Sequence, residues 1–248
     1  MRIRRFPLPE YRVKEEINTL CANLSFIGGD MKVILVTSCT PQEGKSSISL
    51  ELMRAMGNMG MKTILVDADI RASAFQGRYD IRVTTDTQQP YPGLTQYLAG
   101  NCSAEDIIGV TNLANASMIL AGRNVINSLP LLISDRLDRL MDILKERYDV
   151  IIVDTPPVGT IVDAAKIARC CNGALIVVES GRVTRRELED AIEQMERASC
   201  PILGTVLTEY DDSRYISKER YKNYYYRPES TAFRKKRKKK QSTLKDRG

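Results

Sequence analysis

Val33-Ile34-Leu35-Val36-Thr37-Ser38-Cys39-Thr40-Pro41-Gln42-Glu43-Gly44-Lys45-Ser46-Ser47 is the stretch that decides the fold. The β-branched run from Val33 to Thr37 reads as a strand, and the stretch from Ser46 to about Asn58 reads as a helix. Strand, loop, Gly-Lys-Ser and helix together form the context that a phosphate-binding loop requires. Backbone N–H groups at such a helix start surround phosphate oxygens, Lys45 neutralises the β/γ end, and the Ser46 hydroxyl can ligate Mg²⁺. Pro41, Glu43, Gly44, Lys45, Ser46 and Ser47 are therefore the candidate nucleotide contacts. The match to GxxxxGK[ST] is incomplete, because Cys39 occupies the first glycine position.

Two further segments support the loop. Ile64 to Arg71 (ILVDADIR) ends a strand with Asp67 and Asp69, and Tyr148 to Pro157 (YDVIIVDTPP) ends another with Asp154. Each acid alone reads as a helix cap or a turn residue. In a parallel sheet, however, carboxylates just past strand ends gather at the C-terminal edge beside the phosphate loop, where their charge calls for Mg²⁺.

Outward from this centre, strands are expected at Val33–Thr37, Thr63–Val66, Val150–Val153, Ala174–Val178 and Ile202–Leu207. Amphipathic helices are expected at Asp135–Arg147 and Thr184–Ala198. The strands are nearly continuous in hydrophobicity and alternate with helices, which gives a doubly wound, mostly parallel α/β sheet. Residues 1–12 read as an irregular basic arm before a helix from about Val13 to Phe26, and Arg78–Pro92 as a surface loop near the site. The expected organisation is an arm and helix over 1–30, a nucleotide-binding domain over 31–211 and a disordered tail over 212–248.

Composition narrows the chemistry. The chain has 248 residues and no histidine, which excludes His-based nucleophile systems, His-ligated zinc and imidazole acid–base catalysis. Its six cysteines form no CxxC pair, which fits a reducing cytosol, and the apolar runs are far short of the roughly 20 residues that span a bilayer. Residues 1–213 carry a net charge of −5 and residues 214–248 a net +11. The basic run Arg234–Lys240 could hold an anionic membrane surface. The acidic globule and the absence of a recognition motif argue against nucleic acid. Tyr210, Tyr215, Tyr221, Tyr224, Tyr225 and Tyr226 are six of the chain's eleven tyrosines, a concentration in a charged segment that core packing does not produce.

Through these residues the sequence resembles the bacterial tyrosine kinases (BY-kinases) of capsule and exopolysaccharide synthesis, of the CpsD/CapB-like cytoplasmic type. The resemblance rests on Pro41 to Ser46, Asp67-Ala68-Asp69-Ile70-Arg71, Asp154-Thr155-Pro156-Pro157 and the tyrosine cluster. It implies a P-loop NTPase (ParA/MinD-like) architecture and an ATP- and Mg²⁺-dependent autokinase that phosphorylates Tyr215, Tyr221, Tyr224, Tyr225 and Tyr226. It also implies homo-oligomeric rings and a membrane polysaccharide co-polymerase as activator, so that the protein would sit at the inner face of the cell membrane. Asp67, Lys45 and Arg71 become the catalytic set, with Asp67 accepting or orienting the phenol proton, and Ser46, Asp69 and Asp154 become the metal set.

Three departures stand out. Gln42 replaces the usual glycine; Glu15, Asn18 and Cys21 stand where the ring-assembly motif Glu-x-x-Arg-x-x-Arg is expected; Thr208 replaces an asparagine common in related ATPases. A non-catalytic nucleotide-binding scaffold is one alternative. A partition-type ATPase is another, and Thr40, where such enzymes carry an extra lysine, argues against it.

Overall fold

The computed structural model describes residues 2–4, 11–27, 31–75, 82–84, 91–158 and 163–209. Five strands match the expected ones to within a residue or so at each end: β2 (Val33–Ser38), β3 (Thr63–Asp67), β7 (Val150–Asp154), β8 (Gly173–Glu179) and β9 (Ile202–Thr208). Four more complete the sheet: β1 (Arg2–Arg4), β4 (Arg82–Thr84), β5 (Gly109–Thr111) and β6 (Ala116–Ile119). The order is β4-β1-β5-β6-β3-β7-β2-β8-β9, with antiparallel pairing only at β1/β4 and β5/β6.

The continuous hydrophobicity of the central strands follows from burial on both faces. Val33 and Leu35 of β2 enter one core with Ile151 and Val153 of β7, while Ile34 and Val36 enter the other with Ile152. The first core is closed by α3 (Leu94–Leu98), α6 (Asp135–Arg147), α7 (Asp163–Ala168) and α8 (Arg185–Arg197); the second by α1 (Tyr11–Phe26) and α2 (Lys45–Asn58). The short α4 (Ala104–Ile107) and α5 (Leu129–Leu132) lie in the connections around β5 and β6. Helix α8 begins as its sequence dictates, in a capping box: the Glu187 N–H donates to Thr184 Oγ1 at 3.2 Å, and the Thr184 N–H to Glu187 Oε2 at 2.8 Å.

Two expectations are corrected. The arm is not wholly irregular, because Arg2–Arg4 pairs in parallel with β5 and antiparallel with β4, and Ile3 is buried. The surface-loop reading of 78–92 fails at β4 for the same reason. Three residues carry no periodicity of their own, and their extended state comes from tertiary pairing. The tyrosine cluster and the basic run lie outside the described residues. No helix among the described residues is long and apolar enough to cross a membrane.

Candidate active site

The β2–α2 loop is shaped by two left-handed residues, Gln42 (φ 68°) and Gly44 (φ 91°). Such reversals turn successive backbone N–H groups toward one side and make an anion-binding concavity at the start of α2. Gly44 is also confined by its neighbour, since a Cβ there would meet Thr208 Cγ2 at 3.3 Å.

Glu43, read from sequence as a nucleotide contact, turns its side chain into the protein. Its Oε1 accepts from the Thr40 N–H and hydroxyl and its Oε2 from the Glu179 N–H at 3.1 Å, while its backbone carbonyl accepts from Thr208 Oγ1 at 2.8 Å. The loop is thus clamped to the ends of β8 and β9, and Thr208 has a structural task that its sequence position did not reveal.

Pro41, Gln42, Gly44, Lys45, Ser46 and Ser47 line a cleft of about 310 Å³ together with Asp69, Arg71, Ala72, Ala74, Pro156 and Pro157. Lys45, Ser46, Asp69 and Arg71, which sequence reasoning assigned to one site, therefore share a wall. Asp154 lies one hydrogen bond below it: Ser46 Oγ donates to Asp154 Oδ2 at 2.7 Å, and Ser49 Oγ to Oδ1 at 3.0 Å. Ser49 was not singled out from sequence, although it follows Ser46 by one helical step on the same face. Asp67 stands opposite Asp154 in the β3/β7 register and is fully buried. Its Oδ2 accepts from the Ser73 hydroxyl and the Ala121 N–H, whereas Oδ1 is buried without a hydrogen-bond partner.

Burial, with Asp154 alongside, pushes the Asp67 carboxyl up to about 8. Burial also raises Asp154, to about 6, against the opposing pull of Lys45 and the two serines. Ser46 and Asp69 on the cleft wall and Asp154 hydrogen-bonded beneath Ser46 are hard-oxygen groups suited to a divalent cation, whose charge would relieve the repulsion between Asp154 and Asp67. Asp69 Oδ1 accepts from the Ala72 N–H at 3.0 Å and keeps its place on the cleft wall.

A family model described as an AAA domain matches residues 31–200. The tyrosine-protein kinase CpsD of Streptococcus agalactiae serotype III (strain NEM316) is 36% identical over 202 residues, covering 82% of this chain and 84% of the relative. This chain belongs to the bacterial tyrosine-protein kinase family. Solved structures agree with the assignment. The kinase domain of the Escherichia coli tyrosine kinase ETK superimposes with a TM-score of 0.70 at 26% identity, covering 80% of this chain and 77% of that one. The septum site-determining protein MinD complexed with Mg-ADP, from Pyrococcus horikoshii, shares the fold with a TM-score of 0.59 at 25% identity, covering 77% and 76%. The chain is thus a P-loop nucleotide-binding fold of the expected doubly wound type.

Among the departures of this family member, Cys21 is buried at 2% exposure in the core beneath α1. Gln42 occupies a left-handed position, which explains the usual glycine: a side chain there costs about 1 kcal/mol or more. In urea unfolding, Gln42→Gly is expected to be more stable than Gln42→Ala by about 1 kcal/mol, because alanine keeps the left-handed penalty. Equal stabilities would show that the loop relaxes.

Proposed function

We propose that this family member is an ATP-dependent protein-tyrosine autokinase that phosphorylates Tyr215, Tyr221, Tyr224, Tyr225 and Tyr226 and thereby regulates capsular or exopolysaccharide synthesis and export. The observation that carries the reading is the Ser46–Asp154 hydrogen bond beneath a cleft that also holds Lys45, Asp69 and Arg71. It links the two ends of a phosphate-and-cation site.

Lys45 and the loop N–H groups hold the phosphates, and Ser46, Asp69 and Asp154 are the donor set for Mg²⁺. The cation supplies charge neutralisation at the transferring phosphoryl group. Arg71 offers the guanidinium fork that suits phosphate geometry. Asp67, fully buried behind the cleft wall with Oδ1 unpartnered among the described residues, is the acceptor of the phenol proton once nucleotide and acceptor tyrosine are bound; a carboxylate of about 4 facing a phenol of about 10 is a weak base in the ground state. With a loose transition state, late transfer of that proton suffices.

A membrane polysaccharide co-polymerase as activator, homo-oligomerisation and a place at the inner face of the membrane complete the proposal. Each phosphotyrosine adds about −1.5 to −2 charge, so modification of all five would offset most of the tail's +11 and weaken its hold on anionic lipid.

The test is incubation of purified protein with Mg·ATP beside Lys45→Met, read with an anti-phosphotyrosine probe. Signal in the unaltered protein alone is expected, with a loss of about a hundredfold or more in the variant. Signal in neither, with the membrane activator supplied, would move the protein to the scaffold reading.

A further inference from the structure

Arg71 is held by two residues that neither the motifs nor the comparisons single out. Its Nε donates to Asp163 Oδ2 at 2.8 Å and to Ser128 Oγ at 2.8 Å, and the Ser128 hydroxyl donates to the same Asp163 oxygen. Ser128 is 0% and Asp163 2% exposed, whereas the Arg71 side chain is 35% exposed and lines the cleft with Lys45, Ser46 and Asp69. The knot draws together three crossings at one sheet edge: the segment after β3, the residue that heads α5 after β6, and the first residue of α7 after β7. The Val125 N–H adds a second tie by donating to the Ile70 carbonyl at 3.0 Å.

Stability alone does not account for such a knot. A buried ion pair contributes little net stability compared with apolar side chains of the same volume, and its best-attested use is to fix one arrangement. What is fixed here is the guanidinium plane. Anchoring through Nε leaves the terminal nitrogens, which take no partner among the described residues, at the end of a side chain that reaches the cleft. A guanidinium held in advance loses less freedom when it binds an anion than one that must first be ordered.

We propose that Ser128 and Asp163 are positioning residues that hold Arg71 with its terminal nitrogens toward the terminal phosphoryl group of the bound nucleotide. The inference rests on reading the cleft as a triphosphate site. It adds two residues from distant parts of the chain to the machinery of transfer. They act through Arg71 and touch neither nucleotide nor acceptor.

The experiment uses the full chain and a fluorescent N-methylanthraniloyl label on ATP and ADP, titrated with Mg²⁺ present. Asp163→Asn is expected to weaken triphosphate binding about tenfold, the equivalent of one charge-assisted hydrogen bond, and to change diphosphate binding by less than about twofold. Arg71→Lys should give the same pattern, and Asp163→Asn added to Arg71→Lys should cost nothing more, because one residue works through the other. Ser128→Ala should shift the triphosphate-to-diphosphate ratio in the same direction by about threefold, and it decides the matter if Asp163→Asn does not fold.

An unchanged ratio in a folded variant, a loss additive with Arg71→Lys, or equal weakening of both nucleotides would overturn the proposal. So would a wild-type chain that shows no preference between the two nucleotides. Phosphotyrosine formation, measured in parallel, reports on the kinase reading separately: a wild-type chain that shows the expected binding pattern but makes no phosphotyrosine would sink that reading and leave the positioning role standing.

Discussion

Asp67→Asn should raise the melting temperature of the nucleotide-free chain at pH 8 and leave it nearly unchanged at pH 4. The folded carboxyl sits at about 8 because it is buried beside Asp154, against about 4 in the unfolded chain. Below about pH 4 it is protonated in both states and costs nothing; between about 4 and 8 the unfolded chain releases its proton while the folded chain keeps it, so stability falls as pH rises. Each pH unit removes up to about 1.4 kcal/mol, and the whole window amounts to a few kcal/mol. Asp154, at about 6, shares the titration, so the two acids release protons as a pair.

Asparagine carries no such linkage. Its carbonyl can keep the bonds from the Ser73 hydroxyl and the Ala121 N–H, and its amide can donate toward the side where Oδ1 now lacks a partner. Melts of both proteins from pH 4 to 8.5, free of nucleotide and divalent ions, should show a gap that widens with pH. A constant gap would falsify the assignment of the destabilisation to this carboxyl. The same variant should lose phosphorylation by about a hundredfold or more, as expected for removal of a proton acceptor. Gain of stability with loss of activity is the signature of a site strained for its chemistry.

The second large effect belongs to Glu43→Ala. The substitution strips the acceptor from the Thr40 N–H and hydroxyl and from the Glu179 N–H, around a side chain that is 1% exposed. Buried donors left unpaired cost roughly 1–3 kcal/mol each, so a loss on the order of 3 kcal/mol or more is expected. For a domain of this size that corresponds to a fall of roughly 6–12 °C in melting temperature. Nucleotide affinity should fall with it, because the loop is no longer tied to β8. A Glu43→Ala protein that melts like the parent would show that the clamp contributes nothing.

The central sheet was legible because its strands are buried on both faces and therefore read as unbroken apolar runs, each followed by the turn or acid that ends it. The site was legible for the same reason: Lys45, Ser46, Asp69 and Asp154 sit at fixed offsets from those strand ends, and a parallel sheet brings such ends together. Ile3 was not legible, because a single apolar residue between arginines becomes a core residue only when β4 and β5 pair with its strand. Ser128 and Asp163 were hidden differently. They lie 57 and 92 residues from Arg71, in segments of unremarkable composition, and no local pattern marks a hydrogen bond across that distance. Glu43 was placed in the phosphate loop, but the inward turn of its side chain was not legible, since a motif fixes position along the chain and not the direction of a side chain.

The position of Cys39 at the start of the phosphate loop bears on oxidant tolerance. Burial and the neighbouring Glu43 carboxylate push its thiol up to about 12, and burial alone holds Cys21 at about 11. At neutral pH neither offers the thiolate that peroxide or an alkylating agent attacks. A cysteine in the place of a glycine thus leaves the loop with a thiol held in its unreactive, protonated form.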